Sequence, residues 1–345
     1  MKRITMLASL AVSMMLVVAA FVILTNNPDN KRECDVVVTM AWQKEMVDII
    51  SQGELDVVVL MDPNTSPHSA YSSTSSIEYL YNATLFIEIG SGVEWEISML
   101  HGVKADLSTP TISCMELLER GGGHHHGGHD HGDHDDDDCG CGGHDEPHVC
   151  DSHIWANPEY LWIIATELAE ELLTYFPWLD EDSVADGLDY YLNDPADGLG
   201  HIMLVIDRIV GGTESRANAS GQTILVWHNA WAPLMEYINE AANKAIGDDI
   251  YDEDNPYIKV VSGEPTGGGG SVTPSSIIDF LDGITFEHKK YIYVSPFDTA
   301  YQYKSTFEDH GYTVVLVNPT AENWLTELDD FVHHLRDTLD RVPVA

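Results

Sequence analysis

Between His124 and His148 the chain carries eight histidines among glycines and aspartates, with Cys139 and Cys141 in the same stretch. Residues 121–148 contain no aliphatic or aromatic side chain that could seed a core. A segment of that kind cannot offset the entropy of ordering itself, which predicts a mobile loop. Its imidazoles are ligands for zinc, copper and nickel, and a His-rich tract reads compositionally as metal-binding. An expression tag would be terminal and unbroken, whereas this tract is internal and interspersed. The plainer reading of the same residues is a solvated acidic insertion.

Three other histidines stand in a different setting. His68 lies in Ser-Pro-His-Ser-Ala-Tyr, His153 in Asp-Ser-His-Ile-Trp-Ala-Asn-Pro and His228 in Trp-His-Asn-Ala-Trp. Each is at a loop-to-helix junction with an aromatic residue, Tyr71, Trp155 or Trp231, two or three positions on as a wall for a ligand. His101, His201, His288, His310, His333 and His334 lack that context and read as surface or helix-end histidines.

The elements that must position these side chains follow from hydrophobic patterning. Asp35–Met40 (DVVVTM) and Asp56–Met61 (DVVVLM) are continuous β-branched runs, the mark of strands buried on both faces in a parallel sheet. A helix over 43–51 separates them, and strands at 84–89 and 109–114 alternate with helices at 75–81 and 94–101. Past the His-rich stretch, Asn157 is a good N-cap with Pro158 at the first helical position, and Leu161, Ile164, Leu168 and Leu172 line one face until Pro177. Residues 182–210 are helical in pattern, but Asn193-Asp194-Pro195 must bend or break them. Alternation then resumes, with strands at 223–227, 257–261, 290–295 and 313–317 and helices at 230–242, 274–281, 298–310 and 321–339.

The expected architecture is therefore α/β: two similar lobes, each a roughly four-stranded parallel sheet flanked by helices, joined by a long helical connection. The boundaries expected are a leading segment over 1–33, an N-terminal metal-binding lobe over 34–180 that includes loop 121–148, a connection over 181–211 and a C-terminal metal-binding lobe over 212–345. With 345 residues and 44% hydrophobic composition, each lobe has material for its own core. Ligands of open parallel sheets bind beyond the carboxyl ends of the strands. His68 follows the strand at 56–61 and His228 follows that at 223–227, while His153 precedes the helix starting at Pro158, so all three can meet in the cleft between lobes.

Fifty-seven acids against sixteen lysines and arginines give a formal charge of −41, which argues against nucleic acid as a partner, since phosphate binding needs a cationic face. Lys2 and Arg3 precede an apolar run from Ile4 to Leu24, long enough to span a bilayer, so an N-terminal anchor is expected, with Ala19-Ala20 leaving a cleaved, secreted form open. The body is placed on the extracellular face of the cytoplasmic membrane. Of five cysteines, Cys114 and Cys150 bracket the His-rich loop and can close it as a disulfide in an oxidising compartment.

The motifs around these histidines resemble the zinc and manganese solute-binding proteins of ABC importers, the zinc-binding type in particular. Pro67-His68-Ser69-Ala70-Tyr71, Ile89-Gly90 and Glu94-Trp95 match that family's first ordered motif, His153-Ile154-Trp155-Ala156-Asn157-Pro158 its second, and His228-Asn229-Ala230-Trp231 its third, with the His-rich insertion in the corresponding place. The resemblance implies a two-lobed clamp with a rigid connecting helix, one metal ion on His68, His153 and His228, a membrane permease as partner, monomeric action and no enzymatic activity. Val317-Asn318-Pro319 stands where the manganese branch often has an aspartate ligand, so the fourth ligand is water, Asn318 or a carboxylate such as Asp298. Three imidazoles suit Zn2+ better than Mn2+, while Ni2+ and Cu2+ also accept them. Since free imidazole protonates near pH 6.5, such a site is expected to weaken below about pH 6. Two other readings remain: an extracellular metal buffer or adhesion protein without a permease, and a zinc hydrolase, for which no His-Glu-x-x-His spacing is present.

Overall fold

The computed structural model describes residues 34–63, 65–68, 74–103, 106–122, 152–211, 222–246, 257–263, 272–284 and 290–339. The leading apolar run and loop residues 123–148 lie outside them, as do Cys139, Cys141, Cys150 and Tyr71. Among the described residues no helix is long and apolar enough to cross a membrane.

The valine runs form strands as the patterning requires. β1 (Val36–Val38) and β2 (Val57–Val59) pair in parallel, Val36 opposite Val57, with α1 (Ala41–Ile50) between them in sequence. α2 (Thr74–Asn82), β3 (Leu85–Glu88), α3 (Glu94–Val103) and β4 (Thr111–Ser113) continue the alternation. The sheet order is β2-β1-β3-β4, all parallel. Because the order reverses direction between β1 and β3, the loops leaving these two strands diverge and open a crevice at their carboxyl ends.

A further helix, α4 (Cys114–Arg120), follows β4 directly, where the sequence reading ended a strand at Cys114. Ser113 caps it by accepting from the Glu116 amide, and Cys114 is a buried free thiol whose sulfur accepts from Gln43. After a short 3-10 turn at Ile154–Ala156, α5 (Pro158–Tyr175) starts on the Asn157 cap, whose side chain accepts from the amides of Glu159 and Tyr160. α6 (Glu181–Asn193) and α7 (Leu199–Gly211) are separate helices, broken at Asp194-Pro195 as the sequence predicts. Asp194 holds the break by accepting from the amides of Ala196 and Asp197. Gly198 is required there, since a Cβ would sit 2.6 Å from the Asp194 nitrogen.

The second sheet repeats the first: β5 (Gln222–Val226), α8 (Ala232–Ile246), β6 (Ile258–Ser262), α9 (Pro274–Asp282), β7 (Lys290–Val294), α10 (Lys304–Asp309), β8 (Tyr312–Leu316) and α11 (Trp324–Leu339), in sheet order β6-β5-β7-β8, again parallel. The span read as one helix over 298–310 is a 3-10 turn, Thr299–Tyr303, followed by α10.

The lobes do not each keep a separate core. One continuous cluster of buried side chains runs from Val36 and Phe86 through Trp155, Leu161 and Ile202 to Trp231, Trp324 and Phe331. A smaller second cluster, with Trp227, Ile277, Ile292 and Phe307, lies within the C-terminal half. The helices between the sheets and α11 all place their buried faces in this one cluster, so they join the halves rather than merely linking them. Trp155 and Trp324 make the seam: the Trp155 indole donates to the Pro319 carbonyl at 2.7 Å, and the Trp324 indole donates to the Trp155 carbonyl at 3.0 Å.

Candidate metal centre

Each of the three histidines sits where backbone hydrogen bonds fix the chain. Beyond β2, Thr65 turns back on the Asp62 carbonyl, and the Thr320 hydroxyl of the other half donates to the Pro63 carbonyl at 2.6 Å, tying the His68 segment across the cleft. His153 is the residue before the 3-10 turn, its carbonyl accepting from Ala156 and the Ser152 carbonyl accepting from the Ser91 hydroxyl. His228 leaves β5 one residue after Trp227, whose amide donates to the Tyr293 carbonyl and whose carbonyl accepts from Ser262.

These segments bring three ring nitrogens to one point. His68 Nε2 lies 3.1 Å from His228 Nε2 and 3.4 Å from His153 Nε2, and the last two are 3.1 Å apart. His153 is 6% exposed, and the other two are partly buried. Three imidazole edges do not converge in this way to satisfy one another, because lone pairs facing lone pairs repel; a shared cation relieves the repulsion. Nitrogens bound tetrahedrally to zinc at about 2.0–2.1 Å are roughly 3.3–3.4 Å apart, close to the 3.1, 3.1 and 3.4 Å found.

Glu94, at the start of α3, holds His68 from behind: its Oε2 is 2.5 Å from His68 Nδ1. An ionised carboxylate only accepts, so the proton sits on Nδ1 and the Nε2 lone pair faces the other two rings. Burial pushes the Glu94 carboxyl up, but its own backbone amide and the His68 and His153 imidazoles outweigh this and hold it below the ordinary range. The crevice behind is fixed by the buried Glu96, which accepts from the Ile89 and Gly90 amides and the Thr39 hydroxyl. Burial raises the Glu96 carboxyl despite these donors. Gly90 is needed at this turn, with φ of 75° and Ser113 where a Cβ would be.

Of the aromatic walls, Trp155 stands edge-on to His153 at 5.1 Å, whereas Trp231 stacks on Trp324 inside the core. Asn318 is engaged otherwise, its side-chain oxygen accepting from the Thr320 amide, and Asp298 accepts from the Ser295 amide. Among the described residues no carboxylate joins the three histidines within 4.8 Å. Sequence reasoning missed Glu94 as a partner of His68, although Glu94 stands in the motif that carried the resemblance. It also missed that His201 and His333 face each other and that His334 is packed edge-on against Tyr291 and Tyr293.

Residues 36–185 match the family model described as "ZnuA: Zinc-uptake complex component A periplasmic". Over that stretch, less than half of the chain, the sequence is similar to that family. The rest of the chain completes the same fold. A crystal structure of ZnuA matches with a TM-score of 0.62 at 18% identity, over 88% of this chain and 98% of that one. The periplasmic zinc-binding protein TroA of Treponema pallidum matches at 0.60 and 14%, over 89% and 99%, and Fe(III)-bound YtgA of Chlamydia trachomatis at 0.62 and 14%, over 88% and 97%. No curated protein matches the chain by sequence.

Proposed function

We propose that His68, His153 and His228 take one divalent transition-metal ion, zinc first among them, and that the chain delivers it to the membrane permease of an ABC importer. The observation that carries this reading is the set of three Nε2 atoms 3.1–3.4 Å apart. Their donor set is all nitrogen, which suits zinc and works against manganese, an ion that favours carboxylate oxygen. Glu94 fixes the tautomer of His68 as a carboxylate does behind a zinc-bound imidazole. With Asn318 and Asp298 engaged elsewhere, water completes the coordination. The family match supports metal import as the setting, and the Fe(III)-bound form of the structural relative YtgA makes the choice of metal the point to test.

The test is a calorimetric zinc titration of the chain with and without residues 123–148, each beside its His228→Ala form. One tight site that survives loop removal and weakens at least a hundredfold in His228→Ala is expected. A tight site that disappears with the loop would transfer the function to a buffer. Competition by Fe(III) or Mn2+ at equal concentration, if it displaces zinc, would overturn the metal assignment.

A further inference from the structure

A second group of ligand side chains lies away from the cleft. His201 is in the first turn of α7, and Asp329 and His333 are four residues apart on α11, hence on one face of it. His201 Nε2 is 3.7 Å and His333 Nδ1 3.2 Å from the same oxygen, Asp329 Oδ1, and the two rings lie nearly parallel with centroids 5.8 Å apart. That oxygen is buried and, among the described residues, accepts no well-directed hydrogen bond. A carboxylate oxygen removed from water ordinarily finds a donor, and one left between two imidazoles without good donor geometry is placed as a ligand is placed. Burial pushes the Asp329 carboxyl up, against the opposing pull of His333 and His201.

We propose that His201, Asp329 and His333 form a second binding site for a borderline divalent cation of the zinc, nickel or copper class, stapling α11 to α7. Two imidazoles and one carboxylate are a donor set that zinc uses, and ligands at its usual distances stand roughly 3.3 Å apart, close to the 3.2 and 3.7 Å found here. Binding through His333 Nδ1 takes the tautomer with the proton on Nε2 and replaces the contact that Nδ1 now makes with the Asp329 carbonyl at 3.0 Å. Calcium and magnesium, which prefer all-oxygen shells, are excluded as occupants. The site is independent of the cleft: it shares no residue with it, and its metal would brace the C-terminal helix by mass action rather than be carried.

Carbethoxylation of individual histidines in the full chain, read by peptide mass spectrometry across a Zn2+ series, tests this, since His201 and His333 are both partly exposed. Protection of His201 and His333 should rise along one shared curve and reverse with chelator. Asp329→Asn should move that curve at least tenfold to higher zinc while the curve for His68 and His228 stays in place. Unchanged reactivity of His201 or His333 at ten times the zinc that protects the cleft overturns the proposal, as do separate curves for the two. If Asp329→Asn does not fold, His201→Gln read at His333 serves with the same two outcomes. Failure of the cleft reading would show separately, as unprotected His68 and His228.

Discussion

In the N-terminal sheet, β1 and β3 are buried along their whole length, and the strands are three or four residues long. In the C-terminal sheet the strands are five residues long, and β6 and β8 are only partly covered, β8 leaving Leu316 exposed. The two sheets share one strand order, yet the first sheet contributes all its buried apolar side chains to the common core while the second divides its own between that core and a smaller one. Repeated topology therefore does not mean repeated energetics. The N-terminal half, the intervening helices and α11 should open together, and the part of the C-terminal half around Phe307 should be able to open alone.

The sharpest way to break this contrast is to cut each core once. Trp324, fully buried and stacked on Trp231, belongs to the seam, and Phe307 to the smaller cluster. Trp324→Ala should cost about 3–5 kcal/mol and speed amide exchange in both halves. Phe307→Ala should cost about as much locally but speed exchange only around α9, α10, β7 and β8. Equal spreading in both variants would refute a divided C-terminal half.

Next in size is the tie made by Glu45. This α1 carboxylate accepts from the Leu325 amide at 3.0 Å, capping the start of α11 from the opposite half, and burial pushes it up to about 7 despite the Leu325 and Trp324 amides. With the folded value raised above 4.5, its contribution to stability is fully present below pH 4.5 and is lost as pH rises through about 7. By linkage the swing is at most about 3 kcal/mol. Glu45→Gln, which keeps an acceptor for Leu325, should flatten that part of the denaturant-midpoint profile between pH 5 and 8; an unchanged slope would remove Glu45 from the seam.

A smaller effect is expected at Gly187 in α6, where an added Cβ would lie 2.5 Å from the carbonyl oxygens of both Ile49 and Ile50. Gly187→Ala should destabilise by roughly 1–3 kcal/mol by urea melting, against the gain of up to about 1 that alanine brings to a helix. A neutral or stabilising result would mean that α1 and α6 can part without cost.

Much of this was legible in sequence because local rules carried it. Valine runs give buried parallel strands, Asn157-Pro158 a helix start, Pro195 a break, and the three histidine motifs sit at strand or helix ends that the parallel-sheet rule sends to one crevice. What stayed hidden depends on pairs that only tertiary packing creates. His201 and His333 meet because α7 crosses α11, and neither has a motif around it. Glu94 reads as an ordinary first-turn acid until its contact with His68 is seen. The shared core was missed because patterning reports that a residue is buried, not against which half.

The indole bonds from Trp155 to the Pro319 carbonyl and from Trp324 to the Trp155 carbonyl have one more consequence. They fasten the turn carrying His153 to the strand-to-helix segment at Pro319, so the two jaws of the cleft are set on a common chassis. Metal binding in such a cleft should alter the loops at its rim and leave the outline alone: solution scattering curves with and without zinc should superimpose, and a change in radius of gyration beyond error would show that the chassis flexes.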